Sequence, residues 1–189
     1  MSLSSLDGAR VAILATDGFE QSELMEPRAA LSDAGATVTV VSPASGSIQG
    51  WHGGDWGDTV PVDTALGDAD AANFDALVLP GGQINPDVLR ANADAVGFVK
   101  AFAEAGKPVA AICHAPWLVV EAGLAEGRHM TSYKSIRTDL ENAGALVRDE
   151  PAVVCPHGDF VLITSRNPDD IPAFNEAVAT AVAERVRAA

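Results

Sequence analysis

Short apolar runs, each too short for a helix of normal length, most constrain what this chain can fold into. Residues 10–16, 37–42, 74–79 and 109–112 are such runs, and short continuous apolar runs are typical of strands buried on both faces. Residues 22–34, between the first two runs, repeat their apolar side chains at helical spacing. A strand, a helix and a strand in this order predict a right-handed βαβ unit with parallel strands.

The same alternation continues along the chain. It predicts one doubly wound α/β domain over residues 1–189, of flavodoxin-like type, with a mostly parallel sheet and helices on both faces. Residues 153–164 read as a β hairpin. Residues 43–63, with five glycines, predict irregular structure with at most a short strand near 60–62. Residues 1–8 are expected to form a flexible tail. Further helices are predicted over 86–91, 93–105, 117–122, 135–143 and 170–187, and a short strand near 129–132.

Composition excludes several classes of protein. A hydrophobic content of 48% excludes general disorder. The net charge of −14 predicts that the protein binds neither nucleic acid nor anionic membranes, because an acidic protein surface repels phosphate groups. Two cysteines cannot make a disulfide framework, so a reducing, cytoplasmic setting is expected. No apolar run approaches the length of a membrane span, and no signal-peptide pattern is visible.

The run 109–112 ends abruptly at Cys113-His114, and Pro116 then suits the first turn of a helix. A residue at such a corner projects above the sheet, near the unpaired N–H groups of the helix. A thiol held there is expected to ionise more easily than a free cysteine, and the thiolate is the nucleophile. The alternative is that Cys113 is a small buried apolar residue. The corner and the adjacent His114 favour the nucleophile.

Two other predicted strands are followed by residues that could serve the same site. Ligands bind at the carboxyl ends of the strands in open α/β sheets. Glu20, if protonated, could donate a hydrogen bond to the thiolate; the alternative is a loop acid that faces water. The pair Gly81-Gly82 can bring its N–H groups close to a ligand, or can be an ordinary turn. Together with the N–H of His114, this glycine pair is predicted to form an oxyanion hole.

The remaining polar candidates are weaker. Residues adjacent in sequence normally diverge, so His114 can act as a base on Cys113 only at a sharp corner. Asp87 lies just past the glycine pair and could orient an imidazole, although the dipole alone stabilises an acid at a helix N-terminus. No histidine has metal-ligand spacing, and no nucleotide-binding motif is present, so no metal and no cofactor are predicted. Cys155 is expected to be buried and inert.

Several motifs in order resemble the PfpI (intracellular protease I) family of the DJ-one/PfpI superfamily, which has the class I glutamine amidotransferase-like fold. The resemblance covers roughly residues 8 to 185. The motifs are Asp17–Leu24, Ala76–Gly82, Gly106–Pro116, Thr131–Tyr133, Ser135–Gly144 and Thr164–Asp170.

The resemblance implies roles for particular residues. Cys113 matches the family nucleophile, His114 its neighbour in the triad, and Glu20 the acid that contacts the thiol. The family takes its third triad member from an adjoining subunit, and Asp87 is the nearest match, with aspartate in place of the usual glutamate. The implied active site therefore needs a homodimer or a larger homo-oligomer.

Two further positions match residues that line the family's pocket, His52 and Tyr133. Lys134 departs from the family pattern, which often has proline after the tyrosine.

Two functions remain open at this point. The first is a stress-associated cysteine hydrolase, either a peptidase or a deglycase/glyoxalase-type enzyme, that acts on a peptide or a small carbonyl compound through Cys113. The second is a redox-sensing or chaperone-like stress-response protein in which Cys113 is oxidised without turnover. Glutamine amidotransferase activity is disfavoured, because no His-x-Glu pair follows Cys113.

Overall fold

The elements alternate as the apolar runs predict, in a computed structural model that describes residues 3–188. The strands are β1 (Arg10–Leu14), β2 (Phe19–Glu20), β3 (Thr37–Ser42), β4 (Ser47–His52), β5 (Asp55–Pro61), β6 (Thr64–Ala65), β7 (Ala76–Leu79), β8 (Val109–Ile112), β9 (His129–Met130), β10 (Leu146–Val147), β11 (Ala152–Cys155) and β12 (Leu162–Ser165). The helices are α1 (Gln21–Asp33), α2 (Ile84–Arg90), α3 (Ala93–Glu104), α4 (Pro116–Glu121), α5 (Arg137–Asn142) and α6 (Ile171–Ala188).

The central sheet has the order β11-β12-β8-β7-β1-β3-β6. All neighbours in it are parallel except β11 and β12, which form the predicted hairpin. The prediction of a mostly parallel α/β fold is confirmed. Because β1, β7 and β8 are adjacent and parallel, the segments that follow their carboxyl ends meet at one edge of the sheet.

Helices cover both faces of this sheet, which explains why the central strands β1, β7 and β8 are almost entirely apolar. Ala111 belongs to the core formed with α3 and α4, whereas Ile112 belongs to the core formed with α1 and α6. Phe102 on α3 and Phe174 on α6 are fully buried on the two sides. Strand β8 is therefore held from both faces up to the corner at Cys113.

Residues 43–63 are not irregular, which corrects the sequence-based expectation. Strands β4 and β5 form an antiparallel hairpin. Gly53 and Gly54 join them with φ of 59° and 95°, and positive φ at both central residues suits a tight hairpin turn. Strand β4 also pairs with β2, so the hairpin lies beside the first turn of α1.

The expected tail over residues 1–8 is also corrected for the part of the chain that the structure describes. Leu6 is 2% exposed, its N–H donates to the Ala34 carbonyl at 2.8 Å, and its own carbonyl accepts from Ala9 N–H at 2.9 Å. An apolar side chain buried in this way anchors the segment to α1. Met1 and Ser2 lie outside the described residues.

Within residues 3–188, no helix combines the length and the apolar character needed to cross a membrane. The cytoplasmic location stays a prediction.

Candidate active site

The backbone at Cys113 is strained. Its φ is 66°, and it is the one non-glycine residue of the described chain with a positive φ. Its N–H donates to the Ser165 carbonyl at 3.0 Å, and its carbonyl accepts from Tyr133 N–H at 2.8 Å. A side chain in this conformation costs about 1–3 kcal/mol and persists only where the surroundings impose it, most often at functional sites. The strand-to-helix corner predicted from Pro116 is therefore present and strained.

Glycine is required at both positions of the pair that faces this corner. A Cβ on Gly81 would lie 2.6 Å from the Cβ of Cys113 and would collide with the Glu23 carboxyl. Gly82 has a φ of 80°, and a Cβ there would lie 2.6 Å from the Glu20 nitrogen. The absence of both side chains lets the backbone approach the thiol closely.

Asn85 fixes this glycine loop in place. Its fully buried amide donates from Nδ2 to the carbonyls of Pro80 at 2.8 Å and Gly81 at 3.1 Å. Its Oδ1 accepts from Thr16 N–H at 2.8 Å, at the end of β1. One side chain therefore joins the segments that follow β1 and β7, and it adds a second donor to the Gly81 carbonyl, which also accepts from Glu20 N–H at 3.2 Å.

The carboxyl beside the thiol belongs to Glu23, which corrects the assignment of this contact to Glu20. Glu23 is completely buried in the first turn of α1, its Oε2 accepts from Gly81 N–H at 2.9 Å, and it interacts with the Cys113 thiol. Glu20 is only half-buried and accepts from Ser22 Oγ at 3.3 Å. Glu23 lies almost one helical turn further on and faces inward.

The protonation states of the Cys113 thiol and the Glu23 carboxyl are coupled. Burial, and then the charge of Glu20, raise the pKa of Glu23 to about 8. Burial also raises the pKa of the Cys113 thiol, and a charged Glu23 raises it further, whereas the N–H groups of Gly82 and His114 lower it. The corner alone does not make the thiol more acidic, contrary to the sequence-based expectation. A protonated Glu23 can instead donate a hydrogen bond to a thiolate and so favour that form.

His114 contacts the thiol although it is the next residue in the chain. Its Nδ1 lies 3.2 Å from the Cys113 sulfur, and its Nε2 lies 3.0 Å from Ser135 Oγ. The ring stacks on Tyr133 at 4.8 Å between centroids and meets the edge of Trp117 at 5.3 Å. Burial lowers the pKa of His114. The structure thus brings Cys113, His114 and the Gly82 N–H together, as predicted from the sequence.

Asp87 does not orient His114 within this chain. It is exposed on α2, and its Oδ1 accepts from Arg90 Nη2 at 2.7 Å in an i,i+3 pair. Arg90 in turn lies over the Trp117 ring, 4.4 Å from its centroid. A role for Asp87 at the His114 of a neighbouring subunit stays a prediction.

The two residues expected to line the pocket lie in different settings. Tyr133 packs directly on His114, whereas His52 is exposed at the end of β4, opposite Asp55. The lining role of His52 stays a prediction.

Cys155 is buried at the opposite end of the sheet from Cys113. It lies opposite Leu162 on β12, which lies opposite Val109 on β8. The two cysteines are therefore two strands and four residues apart, on the order of 15 Å, which is too far for a disulfide within one chain.

Residues 9–181 match the DJ-1/PfpI family. The chain belongs to this family. General stress protein 18 of Bacillus subtilis (strain 168) is 46% identical to it over 169 residues, which are 89% of this chain and 94% of that protein. Protein/nucleic acid deglycase 2 of Escherichia coli (strain K12) is 41% identical over 167 residues, 88% of this chain and 93% of that protein.

A solved structure agrees with this assignment. A two-domain protein from Anabaena variabilis, with a DJ-1/ThiJ/PfpI-like and a ferritin-like domain, superposes with a TM-score of 0.84 at 37% identity. The match covers 91% of this chain and 47% of that chain, which contains the second domain. The resemblance to the DJ-1/PfpI family predicted from the sequence is confirmed.

Three contributors to this DJ-1/PfpI site were missed by sequence reasoning: Glu23, Asn85 and Ser135. A signal for Glu23 was present, because the buried stripe of α1 runs through Leu24, Pro27 and Leu31, and Glu23 lies on that stripe at i−4 from Pro27. No local pattern marks Asn85 or Ser135, since each meets its partner only in the folded chain.

Replacing Ser135 by alanine is expected to slow alkylation of Cys113 by iodoacetamide at pH 7. The substitution removes the hydrogen-bond partner of His114 Nε2. A hydrogen bond of this kind is worth about 1 kcal/mol, which corresponds to a change of about fivefold in the rate of alkylation. Mass spectrometry of the modified thiol over time measures it. Ser135→Thr keeps the hydroxyl and should restore the rate, and Ser132→Ala, which removes a hydroxyl bound to the Tyr133 carbonyl, serves as the matched control. Equal rates in Ser135→Ala and wild type would contradict the role.

Proposed function

We propose that this protein is a stress-associated thiol enzyme of the deglycase/glyoxalase type, which attacks small reactive carbonyl compounds through Cys113. The observation that carries the proposal is the strained Cys113 corner, where one sulfur meets a proton-holding carboxyl, an imidazole and two backbone N–H groups. A purely structural cysteine needs none of these partners.

The chemistry follows from the positions of these groups. With Glu23 protonated, the thiolate adds to the carbonyl carbon, and the carbonyl oxygen becomes a tetrahedral oxyanion. The N–H groups of Gly82 and His114, which already point at the sulfur, are next to that oxygen and can stabilise it. His114, close to the sulfur and neutral at pH 7, can transfer a proton to or from the adduct.

The burial of the nucleophile favours a small substrate over a peptide. Cys113 is 6% exposed, and its sulfur is enclosed by Gly81, Glu23 and His114. An aldehyde or a 2-oxoaldehyde can reach such a sulfur, whereas a peptide bond must bring an extended chain on both sides of its carbonyl. The names of two relatives, a general stress protein and a deglycase, support a stress-associated enzyme of the deglycase type over a peptidase.

Turnover of methylglyoxal and of a fluorogenic peptide by the wild-type protein tests the proposal. We expect consumption of methylglyoxal, followed by the loss of its dicarbonyl absorbance, at a kcat/KM at least tenfold above that for the peptide. Heat-denatured protein at the same concentration controls for scavenging by lysine, arginine and thiol groups. Cleavage of the peptide without consumption of methylglyoxal would overturn the assignment.

A further inference from the structure

Two tryptophans form an exposed aromatic pair on the hairpin of β4 and β5. Trp51 lies opposite Trp56, with ring centroids 5.4 Å apart and ring planes at 81°. Trp51 is half-buried, but Trp56 is 49% exposed. A cross-strand aromatic pair stabilises a hairpin, yet this pair also leaves much indole surface open to solvent. The face of an indole ring carries partial negative charge and attracts cations.

A carboxyl lies next to this tryptophan pair. Glu20 on β2 is opposite Trp51 on β4, and residues paired across neighbouring strands project from the same face of a sheet. Glu20, Trp51 and Trp56 therefore form one row across the three-stranded sheet. The row begins beside the candidate active site, because a Cβ on Gly82 would lie 2.6 Å from the Glu20 nitrogen.

The surroundings of the row are acidic and lack a compensating cation. Residues 11–27 and 43–63, which include β2, β4 and β5, contain no lysine or arginine. They contain seven acids: Asp17, Glu20, Glu23, Glu26, Asp55, Asp58 and Asp63. Among residues 3–188, Asp63 alone of these seven forms a salt bridge, with Arg28. A concentration of unpaired carboxyl groups attracts cations from solution.

The chain does not itself supply a cation to the tryptophan pair. The three cation–π contacts found within residues 3–188 lie elsewhere in the fold: Arg90 over Trp117, Lys107 over Phe102, and Arg128 over Phe160. A second copy of the chain is a poor partner for this face, because two such hairpins would bring like charges together.

The shape of the surface favours a polypeptide over a small molecule. Asp55 and Asp58, which flank Trp56 along β5, are both exposed, so the row lies on an open face. Small molecules bind best in concave pockets that enclose most of their surface, whereas a polypeptide can cover an open face.

We propose that the tryptophan pair, with Glu20 beside it, binds an arginine or lysine side chain of a basic polypeptide partner. The indole faces hold the cation by cation–π attraction, and the Glu20 carboxyl accepts hydrogen bonds from its N–H groups. The bound partner then lies beside the glycine loop of the active site. Binding of this kind needs no turnover at Cys113 and is independent of the proposed enzymatic function.

Fluorescence anisotropy with a short labelled peptide of alternating arginine and glycine tests the proposal at low ionic strength. A twin peptide with citrulline in place of arginine keeps the shape and removes the charge, and it should bind at least about tenfold more weakly. We expect Trp56→Leu to raise the Kd of the arginine peptide about fivefold, the size of one exposed cation–π contact.

Two variants and a stability measurement control this experiment. Glu20→Gln leaves the hairpin unaltered and should raise the Kd about threefold, the order of one partly exposed ion pair. Glu104→Gln removes a carboxyl from an exposed position on α3 and should leave the Kd unchanged, which excludes an effect of net charge alone. Melting temperatures show whether Trp56→Leu loosens the hairpin, and in that case Glu20→Gln decides.

Three results would overturn the proposal. Equal Kd values for wild type, Trp56→Leu and Glu20→Gln would show that the peptide responds only to the overall charge of −14. A wild-type dimer that Trp56→Leu converts to a monomer, in sedimentation velocity, would show that a second copy covers the tryptophan pair. Displacement of the peptide by arginine amide at concentrations near the Kd of the peptide would show a site for small cations.

Discussion

Cys113→Ala is expected to lose methylglyoxal turnover by about 10³-fold or more, the scale seen when a covalent nucleophile is removed. Alanine keeps the backbone of the corner but supplies no atom that can bond to the carbonyl carbon. The measurement is kcat/KM at pH 7 with matched protein concentrations. Because alanine meets the same strain at a φ of 66°, its melting temperature should stay within a few degrees of that of wild type.

Cys155→Ala is the matched control for this prediction. It removes the other thiol of the chain, which is buried at the far end of the sheet, and should keep most of the activity. Full activity in Cys113→Ala would contradict every assignment in which this sulfur forms a bond to substrate. Loss in both variants would point to a general effect of thiols on the assay.

Glu23→Gln is expected to remove a large pH dependence of stability. The pKa of Glu23 is raised from 4.5 in the unfolded chain to about 8 in the folded one. Between these values the folded protein binds a proton that the unfolded chain has released, so the free energy of unfolding falls as the pH rises. The stabilising contribution is complete below about pH 4.5 and is lost as the pH passes through about 8. The slope is at most about 1.4 kcal/mol per pH unit.

Denaturant unfolding of wild type and of Glu23→Gln from pH 5 to pH 9 measures this difference. Glutamine does not titrate, so the curve of the variant should be flatter, and the two curves should run parallel above about pH 8. Glu20→Gln is the matched control three residues away, and it should retain most of the wild-type slope. Identical slopes in wild type and Glu23→Gln would show that the buried carboxyl does not hold its proton.

Most of the sheet could be predicted from the sequence because its strands are buried on both faces. The predicted runs 37–42 and 109–112 match β3 and β8 residue for residue. Strand β8 is apolar at every position, as a strand covered by helices on both faces favours, and β3 is β-branched except at Ser42, which favours a strand. The hairpin of β4 and β5 was missed, because it is largely exposed and its strands carry polar residues. The Gly53-Gly54 pair was its available signal.

The site was predicted less completely than the sheet. The sequence predicts Cys113, His114 and Gly82 as site residues because each comes just after the end of a buried strand. The ends of neighbouring parallel strands lie side by side in the sheet. Glu20 and Glu23 are separated by nearly one helical turn, and which of them faces inward depends on where α1 begins. The structure begins the helix at Gln21, which turns Glu23 toward the sheet.

The alternation of buried strands and helices, and the corner at Cys113, could be predicted from the sequence because each depends on residues that are near one another in the chain. The family could be predicted because each of its motifs is a short contiguous stretch. Long-range packing fixes which carboxyl contacts the sulfur, the hydrogen bond between Ser135 and His114, and the position of Lys134 and Arg137 in one cleft with Tyr133. These contacts join residues 21 to 90 positions apart or depend on how neighbouring side chains point. Packing of the helices on the sheet decides both, and no local pattern records it.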